Sequence, residues 1–275
     1  MEYNDTAARI AAALSPDELN AYREFALATA REAGDLAAAS FGHATAERKA
    51  DGSLVTQVDK ACDRLIARRI HAAYPSHAVL SEEQDTSYDP ANTFTWVVDP
   101  IDGTTNYARG LPIWGVSIAL MFEGMPVVGA VVFPLLHEEF SAAHKLGATA
   151  GTATIHASTV EIPDDESFVM TCTRTPKQHH LKTPLKARIL GAAAYHLAKV
   201  ADGTGLASVE ATPKIWDLAA VDVIVREAGA ILELQDGGAA VFPIPPERLD
   251  YGHHDMPIVA AANRPIMNHM RSALQ

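Results

Sequence analysis

Cysteine is scarce in this sequence: Cys62 and Cys172 are the only two in 275 residues, and they stand far apart. A disulfide framework is thereby excluded as the source of stability, and a reducing cytoplasm is the expected compartment. Long apolar runs are missing too. The segment from Val127 to Leu136 is too short to cross a bilayer and is interrupted by Gly129 and Pro134. Positive charge is outweighed, with 22 Lys and Arg against 34 Asp and Glu and a formal net charge of −12. That balance disfavours nonspecific binding to nucleic acid or to an anionic membrane. A small anionic ligand is still permitted, because bound divalent cations reverse the local field. Met1 to Asp5 is acidic where a secretion signal is basic, and no apolar signal segment follows. No fixed-period repeat and no low-complexity tract stands out.

What is present suffices for a large core. Hydrophobic residues make up 48% of the chain, enough for one large domain or two tightly joined ones. Ser15-Pro16-Asp17-Glu18 combines a capping serine, a first-turn proline and a capping-box glutamate, which predicts a helix running to about Ala39. A second helix is expected after Thr56-Gln57-Val58-Asp59, burying Leu65, Ile66 and Ile70. The period then changes. Thr95 to Val98, Trp114 to Phe122 and Met125 to Phe133 read as strands, the last two joined through Glu123-Gly124, and Glu138 to Ala143 adds another. Beyond a possible subdivision near Gly147 to Pro163, strands are expected near Phe168–Thr171, Leu206–Glu210, Ile231–Leu234 and Pro257–Ala261. Helices are expected over Gly191–Ala201, Trp216–Ala228 and Arg264–Leu274. This interleaving favours an α/β fold of layered sheets with helices packed on them.

The densest chemistry lies at Asp99-Pro100-Ile101-Asp102-Gly103-Thr104-Thr105-Asn106. Asp99 follows an apolar strand, and Pro100 is expected to stop that strand pairing further. The turn brings Asp102 beside Asp99 and leaves the Ile101 carbonyl as a third oxygen. Gly103 permits close approach of a ligand, and Thr-Thr-Asn suits a helix start whose free N–H groups face a phosphate. Two carboxylates and a carbonyl are the hard oxygen donors that Mg²⁺ prefers. Asp-Pro-x-Asp-Gly alone is also a common solvated turn. Its position directly after a buried strand and before Thr-Thr-Asn favours function.

The segment Trp96 to Asn106 resembles a signature of the inositol monophosphatase family. A second family signature is matched by Trp216-Asp217-Leu218-Ala219-Ala220, continued by Val225 to Ala230. Lys49 to Asp59 and Ser81-Glu82-Glu83 also match, and all four occur in family order. The resemblance, from about Glu24 to the last strand, implies a five-layer α-β-α-β-α sandwich, usually assembled as a homodimer. It makes the chain one catalytic domain, 1–275, with closely packed subdomains of about 1–150 and 151–275.

The resemblance also implies two to three Mg²⁺ ions per site and assigns roles. Glu82 would bind the first ion, with Glu83 behind it. Asp99 would bridge two ions, the Ile101 carbonyl would complete the first site, and Asp102 and Asp217 would hold the second. Asp59 would pair with Thr104 to orient the attacking water, and the Gly103 and Thr104 amides would bind phosphate. Lys49 would lie on a loop associated with a third, weaker ion. The implied reaction is hydrolysis of a small phosphate monoester by metal-activated water, in line and without a covalent enzyme intermediate.

For the substrate, Glu210 stands seven residues before Asp217, where the family reads a sugar hydroxyl. Arg188 and Gly191 match the segment ahead of the next helix, but Ala192 replaces the usual Ser or Thr and removes one hydroxyl contact. Inositol monophosphate or a related polyol or sugar phosphate is the expected substrate class. Histidinol-phosphate phosphatase, fructose-1,6-bisphosphatase and nucleotide 3′-phosphatase activities are the alternatives, and a regulatory binding protein with an incidental site is a rival of another class. The pairs His179-His180 and His253-His254 lack the i, i+4 spacing of a helical zinc site, and Lys177 to Lys186 reads as a solvated basic loop.

Overall fold

The computed structural model describes residues 3–43, 46–48, 54–237 and 239–274. Its helices among these residues are α1 (Tyr3–Ala13), α2 (Pro16–Ser40), α3 (Gln57–Ala73), α4 (Thr104–Ala108), α5 (Thr175–Gln178), α6 (Ala193–Ala201), α7 (Ile215–Glu227) and α8 (Arg264–Ala273). The start of α2 is the capping box read from the sequence. Ser15 Oγ accepts the Glu18 N–H at 3.3 Å, and the Glu18 carboxylate accepts the Ser15 N–H at 2.9 Å. Helix α1, which no sequence signal announced, adds Ile10 to the core, and Leu14 just after it adds another side chain. On α3, Ile66 and Ile70 are buried as expected, while Leu65 is only half-buried.

Two sheets organise the molecule. The larger has seven strands in the spatial order Ala153–Thr154, Ala148–Ala150, Glu138–Ala143, Met125–Phe133, Gly115–Phe122, Phe94–Asp102 and Ala78–Ser81. All its neighbours are antiparallel except the last pair. The smaller sheet runs Lys186–Arg188, Phe168–Thr171, Ala207–Glu210, Ile258–Ala261 and Ile231–Leu234. Helices α2 and α3 cover one face of the larger sheet, α7 covers the other, and α6 packs on both α7 and the smaller sheet. Helix α8 closes the far side, where Ile266, Met267 and Met270 pack against Val169, Val209 and Val259. The result is a layered sandwich in the order α-β-α-β-α.

Burial explains the layering. Every residue of the central Gly115–Phe122 and Met125–Phe133 strands is buried, so both faces of that sheet must be covered. Helix α7 comes so close that a Cβ on Gly129 would run into the Ala220 backbone. Arg226 fastens the same helix, donating from Nε to the buried carboxylate of Asp222 at 2.8 Å and from its guanidinium to the Pro126 carbonyl at 2.9 Å.

One expectation about the acidic turn is corrected. Pro100 does not end the strand: Asp99 pairs with Ser117, the register shifts, and Asp102 resumes pairing with Gly115. The proline has no N–H to give the ladder, so the chain bulges around it and rejoins.

Candidate active site

The bulge in the Phe94–Asp102 strand aims its two aspartates at one point. Asp99 Oδ1 accepts the Ile101 N–H at 2.9 Å, an Asx turn that fixes the first carboxylate. Asp102 Oδ1 and Oδ2 accept the N–H groups of Ala193 and Ala194 at 3.0 and 2.9 Å, so the second carboxylate sits on the positive end of α6. Asp217 comes from the first turn of α7, where its Oδ2 accepts the Lys214 N–H at 2.7 Å. Its capping and its place in the site are therefore compatible.

Ligand oxygens of Asp99, Asp102 and Asp217 lie within 4.8 Å of one another. Asp99 is 2% exposed and Asp102 is 5% exposed, and among the described residues no Lys or Arg forms an ion pair with any of the three. The electrostatic consequence is severe. Burial, then the charges of Glu82, Asp217 and Asp102, hold Asp99 well above the ordinary carboxylate range. Burial and Asp217 do the same to Asp102, and burial pushes Asp217 up to about 6. Carboxylates drawn together with no ion-paired cation among the described residues, and backed by fixed hydrogen bonds, suit a bound divalent cation, whose charge would relieve the repulsion. Glu82 stands on the wall of the same cleft. Glu83 is half-buried and does not line the cleft, and Lys49 falls outside the described residues.

The cleft has a volume of about 690 Å³, and its next wall is the start of α4. Gly103 caps that helix in a left-handed conformation, φ +88°. A Cβ there would lie 3.1 Å from the Ile113 carbonyl and 3.2 Å from Ala192 Cβ, so both the backbone conformation and the tight spacing favour glycine. First-turn N–H groups of a helix lack intrahelical acceptors, and those of α4 border the cleft. Thr104 Oγ1 lies 3.2 Å from Asp59 Oδ1 and 3.0 Å from the Ile101 carbonyl, and its single proton serves one acceptor at a time. Asp59 Oδ2 meanwhile accepts the Thr56 N–H at 2.8 Å, so Asp59 both caps α3 and faces Thr104. Burial raises its pKa against the lowering effect of these hydrogen bonds.

Glu210, Gly191 and Ala192 also line the cleft, the last two packed against Gly103. Gly191 adopts φ +85°, and a Cβ on it would lie 2.7 Å from Asn106 Oδ1. Arg188 is not brought here. Its guanidinium lies over the Phe168 ring, 5.6 Å from the centroid, and donates to the Ala187 carbonyl. Arg174 lines the cleft instead, held by a 2.9 Å hydrogen bond to Thr212. The sequence reading missed Arg174, although a cation just past the end of the Phe168–Thr171 strand was the available signal. It also missed His196, which no local spacing marks. The histidine pairs gather into no ligand cluster among the described residues.

This fold and site have clear relatives. The inositol monophosphatase family matches residues 18–274. The inositol-1-monophosphatase of Synechocystis is 34% identical over 240 residues, covering 81% of this chain and 82% of that protein. The Nus factor SuhB of Escherichia coli is 33% identical over 226 residues, covering 78% and 85%. Among solved structures, the IMPase of Thermotoga maritima matches with a TM-score of 0.78 at 25% identity, covering 91% of this chain and 95% of its own. An inositol monophosphatase from Anabaena matches with a TM-score of 0.73 at 26% identity, covering 92% and 95%.

A layered sandwich with a carboxylate-floored cleft and these relatives defines a phosphatase. The chain belongs to the inositol monophosphatase family. No described helix is long and apolar enough to cross a membrane.

Proposed function

We propose that this chain hydrolyses a small phosphate monoester of a polyol or sugar, using magnesium held by Glu82, Asp99, the Ile101 carbonyl, Asp102 and Asp217. The observation that carries this reading is the convergence of Asp99, Asp102 and Asp217 on one point beside the N-terminus of α4. When bound, magnesium supplies positive charge against the phosphoryl oxygens and acidity to water at neutral pH. The chain's own groups do the rest. The Gly103 and Thr104 amides orient the phosphate. Thr104 Oγ1 fixes the attacking water and relays its proton towards Asp59 Oδ1, 3.2 Å away. Glu83 supports the water-holding side of the site. Glu210 accepts a hydroxyl of the alcohol portion beside Gly191, and the loop bearing Lys49 serves a third, weaker ion. Arg188, turned onto Phe168, would need to swing to touch substrate.

Phosphate release from a panel of esters tests the proposal: inositol 1-phosphate, histidinol phosphate, fructose 1,6-bisphosphate and adenosine 3′,5′-bisphosphate, each with magnesium and with EDTA. Magnesium-dependent release that is fastest on the polyol ester is expected. A different preferred ester would replace the substrate class. No release from any ester, together with tight binding to a macromolecule, would overturn the reading in favour of the regulatory role that the name Nus factor suggests for some relatives. The homodimer belongs to the same proposal, and sedimentation velocity measures it directly.

A further inference from the structure

His196 and Glu210 form a pair at the cleft that is buried almost completely, each side chain no more than 2% exposed. The hydrolysis itself assigns nothing to the histidine. Its hydrogen bonds are nevertheless fully specified. The Leu190 N–H donates to His196 Nε2 at 3.0 Å, so that nitrogen offers its lone pair and the ring proton sits on Nδ1. Nδ1 therefore donates to Glu210 Oε1 at 2.7 Å. Ser208 Oγ donates to the same oxygen, also at 2.7 Å. Both bonds end on Oε1, which leaves Oε2 to the cleft that Glu210 lines. A carboxylate free to rotate offers its lone pairs in many directions, whereas one clamped through a single oxygen presents the other along one.

The opposite side of His196 leads to the phosphate end. The Leu190 carbonyl accepts Asn106 Nδ2 at 2.7 Å, and that same nitrogen donates to the Ile113 carbonyl at 2.7 Å. Asn106 belongs to α4, whose first-turn amides are the proposed phosphate seat. Helix α6, which carries His196, is fixed at its own start by Asp102. One buried ring thus connects the acceptor that faces the alcohol to the helix that faces the phosphate.

We infer that His196, its ring held by the Leu190 N–H, is the positioning residue for substrate selection: acting through Glu210 Oε1, it sets where Glu210 Oε2 stands relative to the phosphate seat. The site thereby favours esters whose alcohol carries a hydroxyl near the phosphate-bearing carbon. This rests on the phosphatase reading of the same cleft. An aryl phosphate without hydroxyls makes no use of Oε2 and is indifferent to His196.

Steady-state kinetics of the full chain on inositol 1-phosphate and on phenyl phosphate test the inference, with wild type, His196→Ala and His196→Asn. Asparagine keeps an N–H donor near the Nδ1 position, and alanine does not. His196→Ala is expected to raise KM for inositol 1-phosphate about tenfold while leaving both constants for phenyl phosphate within about twofold. His196→Asn restores most of the loss. Added to Glu210→Ala, the His196→Ala change costs nothing further on the polyol ester, because the histidine acts only through that carboxylate. Equal losses on both esters, or none on the polyol ester, overturn the inference. Should His196→Ala not fold, His196→Leu keeps the volume and carries the same comparison. Wild type that hydrolyses phenyl phosphate without preferring inositol 1-phosphate overturns the inference alone. Wild type that hydrolyses neither ester removes the phosphatase reading with it.

Discussion

Thr104 Oγ1 stands 3.2 Å from Asp59 Oδ1, across a gap that joins the start of α4 to the start of α3. Asp59 is already anchored by Thr56, so its carboxylate is a fixed wall against which the threonine hydroxyl is aimed. The hydroxyl, rather than the side chain's bulk, is the part that matters for turnover. Thr104→Ala is expected to lower kcat by about 10²- to 10³-fold, and Thr104→Ser to retain kcat within about tenfold. Initial rates at saturating magnesium, with circular dichroism as the folding control, measure both.

The metal floor predicts an unusual dependence of stability on pH. Asp217 is pushed from 3.8 to about 6 by burial, and Asp99 and Asp102 are also held well above the usual carboxylate range. The folded state therefore binds protons more tightly than the unfolded one, so metal-free stability falls as pH rises from about 4 through 6 and beyond. In EDTA, Asp99→Asn should melt above wild type at pH 7.5, and the gap should close towards pH 5. Magnesium should raise the wild-type Tm at pH 7.5, by about 2.7 kcal/mol of stability at a hundredfold excess over Kd, and do far less for the variant. Differential scanning calorimetry decides it.

Gly191 is a steric constraint in the cleft wall. Its φ of +85° and the 2.7 Å approach of a Cβ to Asn106 Oδ1 make Gly191→Ala costly in backbone and in packing. A loss of about 1–3 kcal/mol is expected in urea denaturation. Asn106 would also be pushed from the Leu190 and Ile113 carbonyls, so KM should rise with it.

Arg226 tests the scaffold apart from the chemistry. It partners Asp222, which is 3% exposed and whose pKa burial raises. Arg226→Ala strands that carboxylate in the interior and removes the tie to Pro126, a loss of about 3–5 kcal/mol. Urea denaturation followed by far-UV circular dichroism measures it. Arg226→Ala with unchanged stability would show that water reaches Asp222 freely.

Most of the fold was legible because its signals are local. The Ser15 box, the apolar run of Met125–Phe133 and the turn at Glu123-Gly124 each depend on residues within a few positions of one another. The layer order was not local and came only through family resemblance. Helix α1 was missed because no cap precedes it. At the site, Asp99 and Asp102 share one strand and were visible together, whereas His196 and Glu210 meet across 14 residues and two elements. Arg188 lies away from the cleft because its guanidinium rests over Phe168, a contact across two strands that no local spacing signals. Pro100 shows how a correct local rule yields a wrong outcome when the partner strand accommodates a bulge.

Phosphate release from inositol 1-phosphate by metal-stripped protein, titrated with magnesium and repeated with Asp99→Asn, puts the carboxylate floor to its most direct test. Wild type should be inactive in EDTA, recover fully with magnesium, and exceed a folded Asp99→Asn by about a thousandfold or more at every magnesium concentration. Comparable release by Asp99→Asn, or undiminished release by wild type in EDTA, would contradict the assignment of Asp99, Asp102 and Asp217 as the metal-holding heart of this phosphatase.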